Sequence, residues 1–163
     1  MFRFLKRPVD PKNLLRSSLF DERSFYQAFI RDLRRCNKEV IIECPYMTVP
    51  RTLLLIPTLR KLVKKGVKVR IHTRYPGHHD EQMRIQAWMA TKQLKQAGIK
   101  VIFFNDYHHR KLAILDRRVM YEGSLNILSQ NKSREIMRRI ESEQLAQQMV
   151  RFLHLKPWCW SIL

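Results

Sequence analysis

The residues with the clearest potential for chemistry are a histidine and a lysine two positions apart, His109 and Lys111. Residues two apart on a β-strand point to the same face, so a strand from His109 to Leu115 would present both side chains together and direct Arg110 away. A neutral imidazole, with an ordinary pKa of about 6.5, can act as nucleophile or proton donor near neutral pH. A lysine ammonium supplies a fixed positive charge for a phosphate oxygen. The pair therefore suits attack on a phosphate ester.

A second group of polar residues follows at Gly123, Ser124 and Asn126. Ser124 and Asn126 have the same spacing as the histidine and lysine, and the Asn126 amide is a neutral donor for another phosphate oxygen. Gly123 would let the backbone approach closely or adopt a positive φ just before them. We predict that Ser124 and Asn126 act in catalysis and that Gly123 contacts the substrate.

Asp116 stands between these two groups, in the segment Asp116-Arg117-Arg118. Asp116 is an odd number of residues from His109, so on a regular strand the two side chains would point to opposite faces. An aspartate is also typical of the first position of a hairpin turn. We keep Asp116 in the candidate catalytic set, with an orienting or structural role.

Together these residues give the pattern His-x-Lys-x4-Asp-x6-Gly-Ser-x-Asn, which resembles the HKD signature of the phospholipase D superfamily. Glu135 resembles the acidic residue that follows the signature, and the segment from Glu43 to Met47 is similar to the family's first strand and turn. The resemblance implies a metal-independent phosphodiesterase that forms a phosphohistidine on His109. It also makes Glu135 a candidate acceptor for the Nδ1 proton of a histidine. The alternative for Glu135 is a solvated carboxylate in the first turn of a helix.

The pattern occurs once in this chain, whereas members of the superfamily bring two copies together in one active site. The resemblance therefore implies a two-fold homodimer like that of the short, single-motif nucleases. One His109 would be the nucleophile. Its symmetry mate would be the general acid, and then the base that activates water.

Metal sites and cofactors are not expected. The three cysteines, Cys36, Cys44 and Cys159, include no CxxC pair, which argues against both a disulfide framework and a zinc site. Cys44 lies in an apolar run and is interpreted as a buried core thiol. The adjacent histidines His78 and His79 have no third ligand, and we interpret them as a loop before a helix capped by Asp80. Two further histidines have no evident companion: His72 and His154. The few glycines form no nucleotide-binding loop.

The net charge of +18 indicates a polyanionic partner, either nucleic acid or an anionic membrane. No acidic residue occurs between Cys44 and His79, although eight Lys and Arg residues lie there. The alternative is that several of them form the solvated face of one helix. We favour nucleic acid and predict substrate contacts by Arg74, Lys132 and Arg134. The absence of a signal-peptide core or an apolar span predicts a cytoplasmic protein.

The elements that must position these residues alternate between strand and helix. The patterns predict helices over about 21–36, 51–65 and 80–97, strands over 39–44, 67–73, 99–104, 109–115 and 119–122, and a final helix that begins beyond Asn131 and continues, with a break, to Leu153. This succession predicts an α/β fold with a mixed, mostly parallel β-sheet flanked by helices on both faces. We expect one phospholipase D-like domain over residues 1–163, with an N-terminal extension (1–17) and a C-terminal tail (154–163).

Three functions compete. The first is a nuclease that cleaves DNA or RNA without metal, which the charge, the small size and the single motif favour. The second is a phospholipase or phosphatidyl transferase acting on anionic lipids, because basic charge also suits membranes. The third is a non-catalytic nucleic-acid binding module, which would need charge but no nucleophile.

Overall fold

The computed structural model describes residues 16–155. The elements in chain order are β1 (Arg16–Asp21), α1 (Phe25–Leu33), β2 (Glu39–Glu43), α2 (Val49–Lys64), β3 (Lys68–Arg74), α3 (Glu81–Gln96), β4 (Lys100–Phe104), β5 (Leu112–Leu115), β6 (Val119–Gly123), β7 (Ile136–Glu141) and α4 (Glu143–Phe152). The strands form one seven-stranded sheet in the order β1-β7-β6-β5-β2-β3-β4. Most of the predicted extension and tail lies outside the described residues, apart from the start of β1 and residues 154–155.

The predicted α/β class, the mixed sheet and the helices on both faces are confirmed. The prediction of a mostly parallel sheet was wrong: β2–β3 and β3–β4 are parallel, whereas the other four pairs are antiparallel. The parallel pairs are the strands joined through helices, because a crossover is needed to return the chain in the same direction. The β5–β6 hairpin and the strands beyond it have no such crossovers and pair antiparallel.

The single final helix predicted beyond Asn131 was also wrong. Its first part is strand β7, which pairs with both β1 and β6, and only Glu143–Phe152 is helical. Ile136 and Ile140 have the four-residue spacing of a helix face, so the local pattern favoured the wrong element. Ser142 separates the two elements, because its hydroxyl accepts a hydrogen bond from the Leu145 amide and caps α4.

The central strand β2 is buried on both faces of the sheet. Ile41 and Ile114 pack on one face of the sheet against Val150 of α4 and the adjacent Leu153. The β2 neighbours Val40 and Ile42 belong to the larger core, which α1, α2 and α3 form on the other face. This alternation explains why β2 has no polar face to water.

The strand directions divide the charged residues between two edges of the sheet. The first, here called the site edge, holds the carboxyl ends of β2, β3, β4 and β6 and the amino ends of β5 and β7. The opposite edge, here called the turn edge, holds the Asp116–Arg118 turn between β5 and β6. Residues that are distant in sequence therefore meet at one edge.

Candidate active site

His109 and Lys111 lie at the site edge, in the loop between β4 and β5. The Lys111 Nζ atom is 2.8 Å from His109 Nδ1 and donates to the His109 carbonyl oxygen at 3.1 Å. The two side chains are thus adjacent, as their spacing predicts, but strand β5 begins only at Leu112. The predicted start of the strand at His109 was therefore wrong.

The electrostatic environment keeps the His109 imidazole neutral at neutral pH. Partial burial lowers its pKa most, and the charges of Lys111 and then Arg74 lower it further. Burial likewise lowers the pKa of Lys111, against the opposing effects of Cys44 and Glu135. A charged ammonium can only donate, so Nδ1 of His109 accepts from it and the ring proton is on Nε2. In this arrangement the Nε2–H group of His109 is a hydrogen-bond donor.

Asn126 lies half-buried on the segment after β6, and its Oδ1 atom is buried without a hydrogen-bond partner among the described residues. Three bonds fix this segment to the first two helices. Tyr26 Oη donates to the Ile127 carbonyl at 2.9 Å, and the Thr48 amide donates to the Leu128 carbonyl at 2.8 Å. Arg51 Nε donates to the Gln130 carbonyl. Asn126 is therefore presented by a firmly held loop.

Gly123, at the end of β6, and Ser124, which follows it, contact the start of the neighbouring strand β7. The Ser124 hydroxyl accepts from the Ile136 amide at 3.1 Å, and the Ser124 amide donates to the Ile136 carbonyl at 3.0 Å. A Cβ atom at Gly123 would lie 2.2 Å from the Ile136 carbonyl oxygen, and the glycine does not have a positive φ. The close approach that Gly123 allows is thus to strand β7.

Asp116 lies at the turn edge, at the other end of β5 from Lys111. Five residues of extended chain separate the two by about 15 Å, so Asp116 is too far away to act on His109. Its carboxylate accepts from the backbone amides of Asn37, Lys38 and Glu39 at 2.8–2.9 Å. Its φ of 51° fits the interpretation as a turn residue. Its inclusion in the candidate catalytic set is corrected to a structural role.

Glu135, Lys132 and Arg134 lie on the loop before β7. Glu135 precedes a strand, so the alternative of a first-turn helix carboxylate was wrong. Its charge raises the pKa of Lys111, which places the carboxylate near the site, but within residues 16–155 it makes no hydrogen bond with His109. Lys132 and Arg134 are exposed to solvent.

A buried carboxylate that the sequence did not reveal lies beneath His109. Glu43 is 1% exposed, and its Oε1 atom is 3.1 Å from His72 Nδ1. Its Oε2 atom is 3.6 Å from Arg110 Nη1 and 3.9 Å from His108 Nε2. The expectation that His72 has no companion was therefore wrong. These contacts hold the residues on both sides of His109, and no sequence signal joins positions so far apart.

Arg74 ends strand β3 beside the catalytic pair. Its guanidinium lies 5.2 Å from the centre of the Tyr107 ring, and its Nε atom is buried with no hydrogen-bond partner within residues 16–155. Because it lowers the pKa of His109, its charge reaches the imidazole. The structure thus brings Arg74 to the site edge, where its charge can reach an anion.

The remaining histidines and cysteines form no metal centre in the described part of the chain, where no three His, Cys, Asp or Glu side chains are placed to share an ion. Asp80 caps α3 by accepting from the Met83 amide at 2.9 Å, as predicted. Cys36 and Cys44 are free and buried, and burial raises the pKa of Cys44 to about 11. The expectation of a buried Cys44 is confirmed, and Cys159 lies outside the described residues. Between residues 16 and 155, no helix is long and apolar enough to cross a membrane.

Comparison with known proteins identifies relatives of this fold. A family model described as the PLD-like domain of cardiolipin synthase matches residues 29–156. Nuc from Salmonella typhimurium, a phospholipase D family member, is 18% identical, with a TM-score of 0.68 over 85% of this chain and 92% of its own. NucT from Helicobacter pylori is 19% identical, with a TM-score of 0.67 over 86% of this chain and 94% of NucT. Phosphatidylserine synthase from Haemophilus influenzae is 17% identical, with a TM-score of 0.64 over 90% of this chain and 39% of the synthase chain. No curated protein matches significantly.

Proposed function

The chain belongs to the phospholipase D superfamily of phosphodiesterases, and we propose that it is a metal-independent nuclease with His109 as its nucleophile. The observation behind this proposal is the His109–Lys111 pair, in which a neutral imidazole and an ammonium lie 2.8 Å apart at an accessible edge of the sheet. A neutral imidazole has a lone pair that can attack phosphorus once its proton lies on Nδ1, and the neighbouring charge is placed to stabilise the phosphate oxygens.

The reaction proceeds in two displacements. His109 Nε2 bonds to phosphorus while the bond to the leaving oxygen breaks, and a second histidine donates the proton that this oxygen takes. That histidine then removes a proton from water, which attacks phosphorus and releases His109. Lys111 and Asn126 stabilise the charge on the other phosphate oxygens.

One ring cannot hold both roles at once, so the site is completed by a second copy of the chain. With Lys111 donating to Nδ1, a neutral His109 has its only ring proton on Nε2, so that nitrogen has no lone pair for phosphorus. The general acid must instead be an imidazolium, which is protonated on both ring nitrogens. The nucleophile needs the other tautomer, with the Nδ1 proton accepted by a carboxylate. We assign that carboxylate to Glu135, which lies near Lys111 but makes no bond to His109 within the described protomer. A two-fold homodimer supplies one histidine for each role.

Nucleic acid is the substrate that the charge favours. A net charge of +18 suits a polymer of phosphates, and counterion release would contribute to its binding. The proteins named Nuc and NucT share the fold over most of their length. We assign phosphate contacts to Arg74, Lys132 and Arg134, and a supporting role to Gly123 and Ser124 at the β6–β7 junction. A cytoplasmic location remains a prediction.

A lipid phosphodiester is the second candidate substrate. It is favoured by the likeness to phosphatidylserine synthase, which covers 90% of this chain. The basic surface also suits an anionic membrane. Release of a headgroup from phosphatidylglycerol vesicles, with no cleavage of nucleic acid, would establish this alternative.

The proposal is tested with labelled single-stranded DNA, double-stranded DNA and RNA in excess EDTA. The wild-type protein should cleave at least one of them, and His109→Ala should be slower by about a thousandfold or more. Gln96→Ala is the control, since Gln96 is exposed and ends α3 at the turn edge, away from the motif. Cleavage that EDTA abolishes would contradict the mechanism.

Two further measurements address the intermediate and the dimer. Rapid quenching should trap an acid-labile phosphoryl group on His109, and its appearance on another residue would overturn the assigned nucleophile. Light scattering of the active protein should give twice the mass of the chain, and an active monomer would refute the shared site.

A further inference from the structure

Tyr107 is an unusually exposed aromatic residue next to the catalytic loop. It is 88% exposed, the highest value among the large hydrophobic residues of the described chain, and it lies two positions before His109. The Arg74 guanidinium is 5.2 Å from the centre of its ring. A cation near an aromatic ring helps to hold it in place. Tyr107 thus has a large aromatic surface open to solvent and one positively charged neighbour that restrains its position.

Other aromatic rings continue away from Tyr107 along the site edge. A shallow cavity of about 390 Å³ joins Tyr107 and Arg74 to His78, with Asn105 and Asp106 in its wall. The His78 ring is 5.5 Å from Tyr75, and Tyr75 is 5.9 Å from Trp88. Tyr75 and Trp88 are 37% and 43% exposed. These four rings are called the aromatic track: Tyr107, His78, Tyr75 and Trp88.

We propose that the aromatic track binds unpaired bases of single-stranded nucleic acid, with Tyr107 stacking on the base beside the scissile phosphate. This inference rests on the proposed nuclease function and names its substrate class. Bases in a duplex are already stacked on each other, so only unpaired bases offer a free face to an aromatic ring. Such stacking tolerates any base sequence, because every base has an aromatic face.

The chemistry around the track fits a base together with its phosphates. Asn105 and Asp106 offer amide and carboxylate groups that can bond the edge of a base, which a phosphate would not need. Arg74 and Lys111 supply the positive charges for the backbone. The Tyr107 and His109 Cα atoms are at most about 7 Å apart, so the stacked base would belong to a nucleotide at the cleavage point.

The test compares Tyr107→Leu with Tyr107→Trp on three substrates of one sequence: a single strand, its blunt duplex, and a single strand with abasic positions around the cleavage point. Leucine keeps apolar bulk without a flat ring, whereas tryptophan keeps the stacking surface. Tyr107→Leu should raise KM for the single strand about tenfold or more and leave kcat nearly unchanged. Tyr107→Trp should restore KM, and the duplex and abasic substrates should not respond to either change.

Several outcomes would overturn the proposal that the aromatic track binds unpaired bases. Equal effects on the single strand and the abasic strand would exclude base stacking. Dissociation of Tyr107→Leu into monomers would make Tyr107 a subunit contact instead. Loss of binding to phosphatidylglycerol vesicles, with single-strand binding intact, would assign the ring to a membrane.

The proposed function can fail separately. If the wild-type protein cleaves no nucleic acid, fluorescence anisotropy with the same labelled oligonucleotides still compares wild type with Tyr107→Leu. A single-strand affinity that falls only for the leucine variant would support the track without a nuclease, and equal affinities would reject it.

Discussion

The two edges of the sheet use charged residues in opposite ways. At the turn edge, Asp116 accepts from three backbone amides, and Glu39 pairs with Arg117. At the site edge, the charges of Lys111 and Arg74 both act on His109, which is exposed. Charged side chains whose hydrogen bonds are made within the protein stabilise the sheet, whereas charged side chains beside an exposed imidazole are available to bind a ligand. The predictions that follow test this difference, from the largest expected effect to the smallest.

Lys111→Met should have the largest effect, at the site edge. The substitution keeps the length of the side chain but removes the ammonium that is 2.8 Å from His109. We expect kcat to fall by about 10²–10³-fold, the effect of losing one donor to a developing anion. Steady-state kinetics on the cleaved oligonucleotide measures it. Lys61→Met is the control, since Lys61 is an exposed residue of α2. An equal loss in both variants would indicate a general effect of charge.

Glu43→Gln tests the layer beneath the site edge. It removes the charge that faces His72, His108 and Arg110 but preserves the shape of the side chain. The His72 ring and the half-exposed Arg110 lose a charged partner, so the free energy of unfolding should fall by about 2 kcal/mol. Urea denaturation measures this change. Activity should fall as well, because the loop around His109 loses its anchor. Glu81→Gln is the control, since Glu81 is exposed; loss of its charge from the first turn of α3 should cost less than about 1 kcal/mol.

Asp116→Asn should affect the turn edge alone. Asparagine tolerates the positive φ of this position, but it loses the charge that strengthens three hydrogen bonds. The free energy of unfolding should fall by about 1–2 kcal/mol. Below the melting temperature, kcat should stay at the wild-type value. A large fall in kcat would mean that the two edges are not separate in function.

The smallest expected effect is a shift in pH dependence in Arg74→Gln, separate from the weaker substrate binding that loss of its phosphate contact would cause. The Arg74 charge is the smallest of the causes that lower the pKa of His109, so its removal should raise that pKa slightly towards its ordinary value. The nucleophile must be neutral, so the acidic limb of the kcat/KM profile should move to higher pH. Histidine NMR titration would measure the same shift directly. A limb that moves to lower pH would contradict the assigned electrostatics.

The sequence was most informative where chemistry depends on residues close in the chain. The spacing of His109 and Lys111 predicted that their side chains meet, and the structure gives this contact without a strand. The helices and strands from Phe25 to Phe104 followed from local hydrophobic patterns and glycine positions, because each buries one face against its neighbours.

The sequence was least informative where structure depends on distant partners. Strand β7 resembles a helix in its local pattern, and only its pairing with β1 and β6 makes it a strand. Glu43, His72 and His108 come from two strands and a loop, and only the folded sheet brings them together. Asp116 looked equally suited to a turn or to catalysis until the direction of β5 placed it at the far edge.

The loop that presents Asn126 has a consequence for substrate binding. Its carbonyl groups at Ile127, Leu128 and Gln130 are bonded to Tyr26, Thr48 and Arg51 before any phosphate arrives. Little conformational entropy remains for this loop to lose on binding. The entropy cost of forming the complex therefore falls mainly on the incoming strand, so stiffening that strand should change affinity more than stiffening this loop further would.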